Sequence, residues 1–297
     1  ITHDTYLKQW ALRCPKINTD LILFDEAQDA SPVMLNVLTA QNIPIIWVGD
    51  PYQQIYGWRG AIDAMENITT DHEGRLTRSF RFGSAIASQA NVLLRQLGET
   101  QPLIGAGDGK SRHGSEAFLS RTNAAAIGAF MKQVARRPKA HIELVGGADM
   151  LRIVSDLQSL MRGRATGAFH LFHDYAELKE YANSGSGRDM AALVRAVDEF
   201  GIGKLETRLR EASDKANRAA DITISTIHKA KGREWDYVKV AGDFSESDDG
   251  PIIDSPEQNR LLYVAVTRAR CELDDEDIER WLEAMIDAQA EATPKAS

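Results

Sequence analysis

The chain has 297 residues, of which 43% are hydrophobic and 26% charged, and a formal net charge of -8. That is a globular composition, long enough for two modest domains or one large one. It contains no apolar run near the roughly 20 residues that a membrane span requires, and the opening ITHDTYLKQW lacks the basic-then-apolar pattern of a secretory signal. These features point to a soluble, cytoplasmic protein with no membrane partner, nucleoid-associated if bacterial. The negative balance excludes nucleic-acid binding through the overall field, so any such contact has to be local.

Cys14 and Cys271 are far apart and belong to no CxxC or histidine cluster. Neither a disulfide framework nor a zinc site is expected, only buried or incidental thiols. The first residue is isoleucine and structure begins almost at once, as in a fragment or processed product.

In chain order, LILF at 21–24 and IPIIWVG at 43–49 are short, β-branched runs bounded by acidic or Gly/Pro residues, the pattern of buried parallel strands. PVMLNVLTA between them has helical spacing, giving a βαβ unit whose chemistry belongs at the carboxyl ends of its strands. ASQANVLLRQLGE at 87–99 is helical and a Gly-rich stretch follows it. EAFLSR at 116–121 and HIELVGG at 141–147 are strands, each followed by a helix. The alternation resumes in ADITISTIHKAKG and REWDYVKVAGDF, predicting a second α/β domain. Residues 165–220 break it with mostly helical, polar sequence and read as an insertion. The segment at 274–291 is acidic and helix-periodic, and could sit away from an active cleft.

Two clusters carry chemistry. In LILFDEAQD, Asp25 and Glu26 follow a strand directly. Adjacent carboxylates there suit Mg²⁺ coordination by one and orientation of an attacking water by the other, although Asp25 as a simple helix cap is an equally economical reading. In VGDPYQQIYGWRGA, an amide, a cation and two aromatics crowd one loop: Gln53, Tyr56, Trp58 and Arg59 beside Asp50. Such a set can sense a phosphate and stack on bases; packing of the aromatics on the core is the alternative.

These two segments resemble motifs II and III of the UvrD/Rep-type superfamily 1 helicases. LTRSFRF at 76–82, ITISTIHKAKGREWDYV at 222–238 and NRLLYVAVTRA at 259–269 resemble motifs IV, V and VI, in the family's order. The wording SFRFG, HKAKG and LLYVAVTRA is similar to the F-box DNA helicase branch.

The resemblance implies a RecA-like α/β fold, with ATP and Mg²⁺ as cofactors and single-stranded DNA and duplex junctions as partners. Residues 1–75 would be the C-terminal part of the first RecA-like domain. Residues 76–164 and 221–275 would form the second, with a reduced helical insertion at 165–220 and an acidic tail at 276–297. It implies that Asp25 holds Mg²⁺, Glu26 acts as base toward water and Gln53 senses the γ-phosphate. Arg81 and Arg268 would be the arginines that reach that phosphate. Phe80, where the family usually has tyrosine, would stack on adenine, Glu234 would bind ribose, and Gly232 would allow close backbone approach to the nucleotide. Tyr56, Trp58, Arg59, Thr226, His228 and Lys231 would contact the DNA strand.

A phosphate loop of the form GxxxxGK[ST] does not occur in the 297 residues. GAGDGKS at 105–111 ends in Gly109-Lys110-Ser111, but Ile104 stands where the opening glycine belongs, and a solvent loop is expected there. The implied activity is therefore that of a 3′-to-5′ helicase in repair or recombination, carried here without its phosphate loop. The alternatives are a DNA-binding or regulatory relic without hydrolysis, which intact motor residues disfavour, and a metal-dependent nuclease, for which further converging carboxylates or histidines are missing.

Overall fold

The computed structural model describes residues 3–57, 64–111, 114–213, 220–247 and 249–292. Trp58 and Arg59 lie outside them. The chain divides into two compact units, Ile1–Leu76 and Thr77–Ser297.

The first unit contains α1 (His3–Ala11), β1 (Ile22–Phe24), α2 (Pro32–Thr39), β2 (Ile45–Trp47) and the short α3 (Ala64–Asn67). Pro32 opens α2 at a position whose N–H needs no partner, and the Ser31 hydroxyl accepts from the Met34 N–H. β1 and β2 pair in parallel with Phe24 opposite Trp47, and the two rings meet edge to face at 5.3 Å. They pack on a small core of Ala27, Ala30 and Leu35. The period-two alternation sends Leu23 and Ile46 the other way, and Leu23 is 69% exposed. The expectation of strands buried on both faces is thus corrected: one face of this pair is covered and the other is open.

The second unit begins with β3 (Arg78–Ser79), α4 (Ser84–Gln96) and β4 (Ile104–Gly105). Then come β5 (Glu116–Ser120), α5 (Asn123–Arg136), β6 (Ile142–Leu144) and α6 (Gly147–Met161), followed by α7 (Tyr175–Asn183), α8 (Arg188–Phe200) and α9 (Ile202–Ser213). β7 (Ile222–Thr226), α10 (Ile227–Ala230), β8 (Trp235–Val240) and the two-residue hairpin strands β9 (Glu246–Ser247) and β10 (Gly250–Pro251) follow, and α11 (Pro256–Val266), β11 (Ala269–Asp274) and α12 (Glu279–Ala292) close the order.

Its sheet is five-stranded in the order β11-β8-β5-β7-β6, parallel throughout, as βαβ crossovers demand. All five residues of β7 are buried, which is why ITIST reads as a continuous apolar and β-branched run. The helices of 165–220 share the core of this unit: Leu193, Val197, Leu205 and Leu209 pack with Ile127, Phe130, Met150 and Leu157 of α5 and α6. The acidic segment includes a docked helix, α12. In α12, Trp281 is 1% exposed and its ring meets Phe244 at 6.0 Å, so the charged residues Glu279, Glu283, Asp287 and Glu291 lie on the outer face of a docked helix. Cys14 is exposed and Cys271 half-buried, and both are free, the incidental thiols that were one of the two expectations. Among the described residues no helix is long and apolar enough to cross a membrane.

Candidate nucleotide and nucleic-acid site

In the first unit the candidate residues lie at the carboxyl ends of the strands, where the βαβ reading expects them. Asp25 and Glu26 leave β1 exposed. Glu26 takes a left-handed backbone conformation, φ 54 and ψ 41, which costs a non-glycine residue about 1 kcal/mol and marks a position held by its surroundings. The Glu26 N–H donates to Asp25 Oδ1 at 2.9 Å. Gln28, 1% exposed, donates from Nε2 to Glu26 Oε2 at 2.6 Å, and its Oε1 accepts the Asp50 N–H at 3.1 Å. Beyond β2, Asp50 caps a single 3-10 turn by accepting from the Tyr52 N–H at 3.0 Å, and Gln53 Nε2 donates to Asp50 Oδ2 at 2.8 Å. Asp25, Glu26, Asp50 and Gln53 therefore belong to one hydrogen-bonded cluster. Tyr56 follows it, half-buried.

Among the described residues no group of three or more His, Cys, Asp or Glu side chains could hold a metal. Mg²⁺ bound with a nucleotide needs only one or two carboxylates beside phosphate oxygens and water, and the exposed Asp25 and Glu26 are carboxylates that would fit that need.

In the second unit the expected residues fall into two groups at opposite ends of the sheet. Thr226 ends β7 and His228 follows in α10, at a carboxyl edge. Glu234 immediately precedes β8 and Arg268 immediately precedes β11, at the amino edge. Because β7 and β8 are both parallel to β5, residues 227–234 run from one end of the sheet to the other, with Lys231 and Gly232 midway. Gly232 has φ +80, a left-handed turn that glycine adopts freely. Lys229 pins this crossing, with Nζ 2.9 Å from Asp149 Oδ2. The hydrogen bond and the charge of Lys229 hold the Asp149 carboxyl below its usual range.

The amino-edge group is charge-paired. Arg81 donates from Nε to Glu234 Oε2 at 2.7 Å and from Nη1 to the Thr267 carbonyl at 3.1 Å. Arg270 donates to Glu234 Oε1 at 3.1 Å. Partial burial pushes the Glu234 carboxyl up, but Arg81 and Arg270 outweigh it and hold it below the usual range. Phe80 is 76% exposed, so its ring offers a face for stacking. Arg268 is 2% exposed. Its guanidinium donates to the carbonyls of Val264 at 2.9 Å and Arg233 at 3.4 Å, gripping the backbone next to Glu234 from inside the unit.

The Gly-rich stretch supports this edge. The Ile104 N–H donates to the Thr77 carbonyl, the Ala106 N–H to Ser79 and the Gly107 N–H to Phe82, at 2.7, 2.7 and 2.8 Å. A Cβ at Gly105 would lie 2.2 Å from the Gly83 carbonyl oxygen, so only glycine lets the two backbones meet. The GKS decoy is no phosphate cradle. The Ser111 hydroxyl and the Gly114 N–H both donate to Asp236 Oδ2, at 2.9 and 2.7 Å.

Sequence reasoning missed Gln28, Asp236 and Arg270. An aspartate between Trp235 and Tyr237 of a strand was a usable signal, because Asp is depleted in strands unless it is paired. Gln28 gave none, since a glutamine after two carboxylates reads as surface.

The UvrD/REP helicase N-terminal domain matches residues 5–73 and the UvrD-like helicase C-terminal domain residues 171–274, together more than half of the chain. F-box DNA helicase 1 of Gallus gallus is 31% identical over 95% of this chain and 31% of its own length. F-box DNA helicase protein 1 of Schizosaccharomyces pombe (strain 972) is 29% identical over 90% of this chain and 35% of its own. DNA helicase II of Escherichia coli (strain K12) is 36% identical over 25% of this chain and 11% of its own. The chain thus spans about a third of the two F-box DNA helicases. Both α/β units are of the RecA-like helicase fold, and the chain belongs to the UvrD-like helicase family.

Proposed function

We propose that the full-length protein is an ATP-driven 3′-to-5′ translocase and helicase on single-stranded DNA and its duplex junctions, acting in repair or recombination. The observation that carries the reading is the separation within the second unit: Arg81 and Glu234 share the amino edge of the sheet, while Thr226 and His228 stand at the carboxyl end of β7. One strand-to-strand crossing, residues 227–234, joins the two ends, so a change at a nucleotide is delivered to a nucleic-acid contact through a single short segment.

In this reading Asp25 holds Mg²⁺, which when bound with ATP neutralises phosphate charge. Glu26 takes the proton of the attacking water, and the Gln53 amide faces the γ-phosphate. Phe80 stacks on adenine and Glu234 accepts from the ribose hydroxyls. Arg81 and Arg268 offset charge that develops on the transferred phosphoryl group. Arg81 has to leave Glu234 for this, and Arg268 has to extend from its buried position. Tyr56, Trp58 and Arg59, with Thr226, His228 and Lys231, bind the strand by stacking and backbone contacts that any sequence satisfies. Because no GxxxxGK[ST] segment occurs in these 297 residues, hydrolysis is assigned to the full-length protein.

The polarity is tested by strand displacement with ATP and Mg²⁺ on duplexes bearing either a 3′ or a 5′ single-stranded tail. Unwinding of the 3′-tailed duplex at a rate at least tenfold above the 5′-tailed one is the expected result; the reverse preference would sink the assigned direction.

A further inference from the structure

Gln28 lies between the two halves of the first unit's cluster, and its amide is used at both ends. Nε2 donates to Glu26 Oε2 at 2.6 Å and Oε1 accepts the backbone N–H of Asp50 at 3.1 Å. The side chain is 1% exposed, so water does not substitute for either bond. It is also closely enclosed: a Cβ on Gly49 would sit 2.5 Å from Gln28 Oε1, so glycine at that position makes room for the amide. The backbone repeats the connection, since the Ala27 N–H donates to the Val48 carbonyl at 2.9 Å. Glu26, whose backbone is left-handed, is thereby held at its carboxylate by a neutral donor anchored on the loop that carries Gln53.

We propose that Gln28 is a positioning residue for ATP hydrolysis: it fixes the Glu26 carboxylate in its water-orienting pose and ties that pose to the Asp50–Gln53 loop. This rests on the functional reading above. The assignment depends on the bipolar amide. A glutamate there would keep the acceptor for Asp50 but set an oxygen against the Glu26 carboxylate, whereas a methionine keeps the bulk and loses both bonds. Misplacing a catalytic group by about 1 Å costs on the order of 100-fold in rate, with little effect on ground-state binding.

The test compares Gln28→Met and Gln28→Glu with Glu26→Gln in the full-length protein. Steady-state ATP hydrolysis is measured with saturating oligo(dT), and nucleotide affinity with a fluorescent ATP analogue. Expected is a fall in kcat of roughly 10- to 100-fold in both Gln28 variants, with KM and analogue affinity within about twofold of the parent. Parental kcat in Gln28→Met overturns the proposal. So does a loss that appears equally in KM and analogue affinity, because that is a site merely misfolded. Parental kcat in Glu26→Gln overturns instead the underlying reading of Glu26, and is separately visible.

Discussion

Glu26→Gln in the full-length protein is expected to lower kcat for DNA-stimulated ATP hydrolysis by roughly 10²- to 10⁴-fold, the range a positioned general base contributes. KM for ATP should change little, because the substitution is nearly isosteric and alters proton acceptance rather than ground-state contacts. The local fold tolerates it. Glu26 is exposed, and an amide oxygen can still accept from Gln28 Nε2. Hydrolysis within threefold of the parent would show that this carboxylate does not serve the attacking water.

Asp236→Ala is expected to destabilise the second unit by about 3–5 kcal/mol, the cost of removing one partner from a buried ion pair. Asp236 is fully buried and accepts from Arg270 Nη2 at 2.5 Å and Nε at 3.0 Å, and from the Ser111 hydroxyl and the Gly114 N–H. Removing the carboxylate leaves the partly buried Arg270 guanidinium without that counter-charge and frees the 105–111 loop that braces the Phe80–Arg81 segment. The hydrogen bond that Arg270 donates to Asp236 is the main influence that keeps Arg270 raised above its usual range. Urea unfolding followed by tryptophan fluorescence measures the effect, and a loss below about 1 kcal/mol would show that the network is dispensable.

Much of the architecture was legible because period and composition agreed with the final packing. ITIST and EAFLS form central strands of the parallel sheet; β7 is buried along its whole length, and β5 shows a mostly buried pattern. NAAAIGAFMKQVARR is a helix capped by Thr122, whose hydroxyl accepts from the Ala125 N–H. The burial of LILF and IPIIWVG was misjudged because apolar content does not say how many faces find a partner, and Leu23 stays open. The acidic segment at 274–291 was legible as a helix, and α12 begins within it at Glu279. Its charges dominate the composition, while Trp281, Leu282 and Met285 decide its packing.

For the candidate site, the motifs pointed to residues but not to their relations. No spacing reveals that Arg81 meets Glu234 across 153 positions, nor that Arg268 turns inward onto the carbonyls of Val264 and Arg233. Buried polar connectors such as Gln28 and Asp236 are set by tertiary contacts between segments that are short and distant in the chain.

Single-strand-stimulated ATP hydrolysis by the full-length protein, titrated with oligo(dT) in the presence of Mg²⁺, tests the central claim most directly. The account expects hydrolysis to rise at least tenfold and to saturate with the oligonucleotide; DNA binding without any hydrolysis would contradict it and identify a nucleic-acid-binding relic of the motor.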